Sequence, residues 1–232
     1  MRRRVGAFLG WVLVAGGCAT GGATAREAGM NGPRVIDAAA MTRIDSTLRS
    51  FTESGRLAGV SALVFEKGRE VYFGAYGTAD REKQVPMDRN TIVQIFSMTK
   101  PVTGVALMTL YEKGAFQLDD PVAKYAPEFA NVKVYAGADA NGSPILQAPA
   151  RPITIRDLTR HTAGFATGAD NPGVDPLFGA ADPMNRSNTL VQMAAKLASV
   201  PLWFQPGTKW AYGPSVDVQA YLVEKISGAA TR

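Results

Sequence analysis

The sequence predicts an α+β protein, an antiparallel sheet flanked by helices, and two observations carry that reading. Met41, Ile44, Leu48 and Phe51 recur at helical spacing before Gly55, which marks an amphipathic helix with a stop signal. Directly after it the period changes. Gly59 to Gly77 is rich in Val, Phe and Tyr and is split by Glu-Lys-Gly-Arg, the chemistry of two antiparallel strands joined by a tight turn at Lys67 and Gly68. A short hairpin beside a helix calls for a sheet covered by helices.

The later elements follow in order. After a polar loop from Asp80 to Asn90, the stretch Val102 to Tyr111 is apolar on nearly every face, so it reads as a helix that belongs inside. Lys113 and Gly114 end it with a cation and a residue suited to a left-handed cap. Leu118 to Phe129 reads as a turn and a short helix, and Val132 to Pro149 as a hairpin bending at Asn141 and Gly142. Thr154 and Asp157 form a capping-box pattern that starts a helix, which stops by Gly164. Asp170 to Arg186, rich in Gly, Pro, Asn and Asp, reads as loop. Leu190 to Ala198 regains helical character, Gln205 to Ser215 is turn chemistry, and a last amphipathic helix runs through Val218, Leu222, Val223 and Ile226 to Gly228.

With 232 residues, 46% hydrophobic and 19% charged, the chain can bury a sizeable core. Its net charge of +5 owes three units to Arg2, Arg3 and Arg4; without them 22 basic residues face 20 acidic ones, and no nucleic-acid partner is inferred. Those arginines, the apolar run Val5 to Val14 and small residues around Cys18 have the layout of an export signal. Val14 to Cys18 resembles a lipoprotein signal, which makes Cys18 a candidate for lipidation and membrane attachment; cleavage after Ala25 is the soluble alternative. Residues 1–25 are thus read as signal and start of a tether, 26–34 as flexible linker and 35–232 as the folded domain. The expected location is outside the cytoplasm, periplasmic or anchored as a lipoprotein. Cys18 is the sole cysteine, so no intramolecular disulfide can form.

Ser97 and Lys100 stand three residues apart where the apolar helix begins. A serine hydroxyl needs a neighbouring base to act as a nucleophile. His161 is the only histidine, and no Gly-x-Ser-x-Gly elbow accompanies it, which leaves lysine as the base. Residues at this spacing share a helix face. A lysine amine, ordinarily titrating at roughly 10.4, becomes a base when a low-dielectric setting and the positive end of a helix favour its neutral form. Pro101, which lacks an N–H and disfavours helical geometry at Lys100, marks a distorted first turn. By itself the Ser-x-x-Lys spacing fits equally a helix cap followed by a solvated lysine.

Three segments in order, "IFSMTKPVTGVALMTLYEKGAFQLDDPVAKYAPEF", "ITIRDLTRHTAGF" and "FQPGTKWAYGPS", resemble the serine beta-lactamase and penicillin-binding-protein superfamily, most nearly its class C beta-lactamase-like branch of esterases, transesterases and D-amino-acid-specific peptidases. The resemblance covers about Met41 to Gly228. It implies a helical region inserted into the antiparallel sheet, Ser97 as the acylated nucleophile, Lys100 as its basic partner, and Tyr212 as the tyrosine of a Tyr-x-Asn motif that relays protons. It implies no cofactor and a small-molecule ester or amide as substrate. His161 falls in a segment that shapes the helical region and is not catalytic. Trp203, Phe204 and Trp210 lie beside a Pro-Gly turn, where aromatic residues pack a core more often than they line a cleft. Pro214 stands where the motif has asparagine, which disfavours beta-lactam hydrolysis. The family's third motif, of Lys-Thr-Gly or His-x-Gly type on a C-terminal strand, has no match before Arg232, so the sheet is expected to be incomplete and the chain to be the first part of a longer protein. The expected function is an exported serine hydrolase acting on carboxylic esters; the alternatives are a class C-type beta-lactamase, a D,D-peptidase, or a non-catalytic envelope protein with a truncated site.

Overall fold

The computed structural model describes residues 36–169 and 171–229, so the proposed signal, the linker and Cys18 lie outside the described residues. The chain divides into two compact units between Val93 and Gln94. In the first, helix α1 (Ala38–Glu53) is capped by Asp37, whose carboxylate accepts from the Ala40 N–H at 2.6 Å. It packs on a three-stranded antiparallel sheet in which β2 (Arg69–Asp80) lies between β1 (Gly59–Glu66) and the short β3 (Val85–Pro86). The β1–β2 turn places Lys67 and Gly68 at φ 51° and 76°, the left-handed pair that a two-residue hairpin requires. Asp45 on α1 accepts hydrogen bonds from the hydroxyls of both Tyr72 and Tyr76 on β2, which fixes the helix against the sheet.

The second unit is mainly helical. Its elements are α2 (Thr99–Glu112), the hairpin β4 (Val134–Ala138) and β5 (Pro144–Gln147), α3 (Ile155–Thr159), α4 (Asp175–Ala181), α5 (Leu190–Ser199) and α6 (Ser215–Ser227). Helix α6 lies at the centre, packed against α2, α3 and α5. Its Val218, Tyr221 and Leu222 join Leu107, Ile155, Leu158 and Leu197 in one buried cluster. The Gln219 side chain donates to the Leu158 carbonyl at 3.0 Å inside that cluster, satisfying an acceptor that would be costly to leave unpaired.

Two expectations are corrected. The segment read as loop from Asp170 to Arg186 contains α4, which begins with Asp175 and Pro176 and ends at Asp182 in the left-handed conformation; proline is at home in a first helical turn. Helix α2 is apolar all round but not enclosed: among its residues Leu107 is buried, whereas Val102 and Val105 are 63% and 65% exposed. The stretch read as turn and short helix holds two 3-10 turns, Val122–Lys124 and Pro127–Asn131.

Asp157 is the polar centre of this unit. Its carboxylate receives the Arg151 guanidinium in a fork at 2.6 and 2.9 Å, the Thr154 N–H at 2.9 Å, and the hydroxyls of Thr154 and Thr162 at 2.8 and 3.0 Å. Burial pushes this carboxyl toward its neutral form, but the bonds from Arg151, Thr154 and Thr162 outweigh it and hold it below 3.8. A carboxyl depressed in the folded state stabilises the fold above its unfolded value and ceases to do so as pH falls through the folded one. Asp157→Ala is therefore expected to cost about 2–3 kcal/mol at neutral pH, less than a fully buried pair would because Arg151 stays partly solvated. Asp157→Asn should flatten the loss of stability on acidification below about pH 4. Thermal unfolding followed by circular dichroism across pH tests both.

Candidate active site

Ser97 sits in a 3-10 turn, Phe96–Met98, immediately before α2. Phe96 there has φ 47°, an uncommon conformation for a bulky residue. Lys100 is the second residue of α2 and Pro101 the third, where the missing proline N–H leaves no helical bond unmade. The distorted start expected from Pro101 thus takes the form of a tight turn that carries the serine. The Lys100 Nζ donates to Ser97 Oγ at 3.2 Å.

Tyr212 arrives from 115 positions away in the sequence, its hydroxyl donating to Ser97 Oγ at 2.6 Å. The structure therefore brings together all three side chains singled out in the sequence. Lys100 Nζ also lies 4.6 Å from the centre of the Tyr212 ring, close enough for a cation–π attraction. Ser97 and Tyr212 are both exposed, so the hydroxyl is open to a ligand.

Backbone pairing holds the Tyr212 loop. The N–H groups of Trp203, Gly207 and Ala211 donate to the carbonyls of Gly164, Thr162 and His161 at 2.7, 2.8 and 3.0 Å. Gly164 is needed there: its φ is 90°, and a Cβ would stand 2.3 Å from the Phe204 carbonyl oxygen. His161 lies nearly parallel to Tyr212, ring centres 5.3 Å apart and planes 18° from each other. Phe204 is buried, as a packing residue should be, whereas Trp210 is 65% exposed and stands 6.1 Å from His161 and 6.4 Å from Tyr212.

Beneath the serine turn is a cavity of about 320 Å³, lined by Gln94, Phe96, Lys100, Thr103, Val216 and Asp217 among others. Burial raises the Asp217 carboxyl above its ordinary value, with Lys100 and His161 opposing. Tyr212 moves the other way: the neighbouring Lys100, and then the Ser97 hydroxyl, draw its phenol below 10.0. Burial lowers the His161 imidazole below 6.5, and the positive charge of Lys100 adds to the effect. Trp210, weighed from the sequence as either cleft-lining or core-packing with packing favoured, is exposed beside the site, whereas Asp217 was not identifiable from the sequence. The signal for Asp217, an acid in the first turn of α6, is equally that of an ordinary helix start.

A Ser-Lys-Tyr cluster thus stands at the head of a helix in an α+β frame, and comparison with known proteins identifies the family. The chain belongs to the beta-lactamase family, whose model matches residues 44–231. It is 34% identical over 199 residues to the esterase EstB of Burkholderia gladioli, covering 83% of this chain and 47% of EstB. It is 32% identical over 190 residues to the lovastatin esterase of Penicillium rubens, covering 80% and 47%. Among solved structures it resembles EstCE1, a hydrolase with promiscuous acyltransferase activity, with a TM-score of 0.68 and 30% identity over 82% of this chain and 47% of that one. The chain spans about half the length of the curated relatives it matches.

Hydrogen bonding with Lys100 is the largest influence on Tyr212, so Lys100→Met should return the phenol toward the ordinary tyrosine value. Ultraviolet difference titration, taken against Tyr212→Phe to isolate this one phenol, is expected to show its ionisation moving to higher pH.

Proposed function

We propose that this chain is a serine hydrolase acting on carboxylic esters through an acyl-enzyme at Ser97. The observation that supports it is the convergence of Lys100 Nζ and the Tyr212 hydroxyl on Ser97 Oγ, at 3.2 and 2.6 Å. In this reading the Ser97 Oγ attacks the ester carbonyl carbon while its proton passes to the Lys100–Tyr212 pair. Tyr212, with its ionised form favoured by Lys100, is suited to carry that proton on to the departing alkoxide. The C–O bond to the alcohol breaks, leaving an ester of Ser97. Water then attacks this ester, giving its proton to the same pair, and Ser97 Oγ leaves with a proton restored as the carboxylic acid departs.

Esters are favoured over beta-lactams because Pro214 occupies the position where an amide side chain would bind the lactam's substituent, and proline offers no donor. The names of EstB and the lovastatin esterase agree with this preference. Export belongs to the same proposal and rests on Arg2 to Arg4, the apolar run to Val14 and Cys18.

The purified protein should hydrolyse short-chain p-nitrophenyl esters and take up a fluorophosphonate at Ser97, with slow turnover of nitrocefin by comparison. Ser97→Ala should abolish both hydrolysis and labelling. Lys100→Met and Tyr212→Phe should each lower kcat by about 10²–10⁴. Ester turnover that survives Ser97→Ala would refute the reading, and so would the absence of a covalent adduct at Ser97.

A further inference from the structure

We infer that His161 is a positioning residue for Tyr212: a neutral aromatic platform whose stacking keeps the phenol directed at Ser97. The inference rests on the proposed role of the Ser97–Tyr212 pair, and four features of the structure lead to it.

The imidazole and phenol rings are nearly coplanar in direction, 18° apart with centres 5.3 Å from each other, an offset-stacked geometry that aromatic pairs favour. The same residue holds the loop by its backbone, since its carbonyl accepts the Ala211 N–H at 3.0 Å, one residue before Tyr212. His161 adopts φ 56°, a conformation that a non-glycine residue keeps only when its surroundings fix it. Finally, its Nδ1 is buried and has no hydrogen-bond partner.

That last feature determines the charge of the ring. A protonated imidazole carries an N–H on both nitrogens, and at Nδ1 this donor would be buried without an acceptor, a costly arrangement. Lys100 on α2 faces the ring with a positive charge, opposed by Asp217 on α6, while the loop contributes Tyr212 and Trp210. The lowered imidazole pKa agrees with this geometry. A neutral ring can stack on Tyr212 without adding a second cation beside Lys100. Because Tyr212 is half exposed, its ring is held by a few contacts, with Lys100, Trp210 and His161, and among these the His161 ring is the one stacked nearly parallel on its face.

The test separates the ring from the backbone. His161→Asn removes the ring but tolerates the left-handed conformation, whereas His161→Phe keeps a flat aromatic surface that cannot ionise. With p-nitrophenyl acetate, His161→Asn is expected to lower kcat by about 10–100-fold while KM changes less than about two-fold. His161→Phe should recover most of that loss. The ionisation of Tyr212, followed by ultraviolet difference titration against Tyr212→Phe, should move to higher pH in His161→Asn, as the phenol drifts from Lys100 and Ser97, and return in His161→Phe. An unchanged Tyr212 titration in folded His161→Asn would overturn the inference, as would equal losses in the Asn and Phe variants. The titration requires no turnover, so inactivity of the wild-type protein would sink the hydrolase reading while leaving this result decisive for His161.

Discussion

The second unit depends on the buried carboxylate of Asp157. One side chain closes the capping box that starts α3, grips Arg151 in a two-bond fork, and takes the Thr162 hydroxyl. Thr162 lies at the head of the segment whose carbonyls receive the Tyr212 loop, and the Gly207 N–H binds the Thr162 carbonyl at 2.8 Å. Gly207 also passes so close to Arg151 that a Cβ would stand 2.1 Å from its guanidinium. The acid thus fixes its own neighbourhood from Arg151 to Thr162, and the Thr162 backbone passes that order on to Gly207 in the loop that brings Tyr212 to Ser97 across 115 positions. A hydrophobic core alone would leave that loop free to slide, because burial is non-directional. Hydrogen bonds to a fixed carboxylate supply direction.

Around the serine, two acids beside the same lysine shift in opposite directions. Tyr212 is exposed, so its hydrogen bonds with Lys100 and then Ser97 outweigh the small loss of solvent and draw its phenol below the ordinary value. Asp217 is more enclosed, so loss of solvent dominates and its protonated form is favoured even with Lys100 nearby. The comparison shows how depth selects between the causes of a pKa shift. It leaves Lys100 between a phenol drawn below its ordinary value and a cavity whose carboxyl is raised above its own.

Much of this was legible in the sequence because it is local. The hairpin turn at Lys67-Gly68, the capping box at Thr154 and Asp157, and the Ser97–Lys100 spacing each state their geometry within four residues. Tyr212 could be placed only through the family's motif order, since no local rule distinguishes a tyrosine that approaches a serine from one that packs. Helix α4 was hidden by Gly, Pro and Asp, which read as loop but also suit a short helix with proline in its first turn. His161 was read as a shaping residue, and its backbone does shape the loop; its stacking on Tyr212 was invisible because contact across 51 positions leaves no periodic trace. The exposure of Val102 and Val105 likewise has no local signature, because an apolar helix specifies that it should be covered and not by what.

Pro214 shows how a residue can set geometry and chemistry together. It is the N-cap of α6, with φ −73° and no side-chain cap, and its carbonyl accepts the Val218 N–H at 3.1 Å. The helix therefore begins at Ser215, three residues after Tyr212, and places Asp217 within its first turn. Proline's restricted φ suits this junction, which joins the loop that carries Tyr212 to the helix turn that carries Asp217. An asparagine in its place would add a donor toward the substrate but would also free that junction. Proline at this position thus both withholds an amide donor and restricts the backbone between Tyr212 and Asp217.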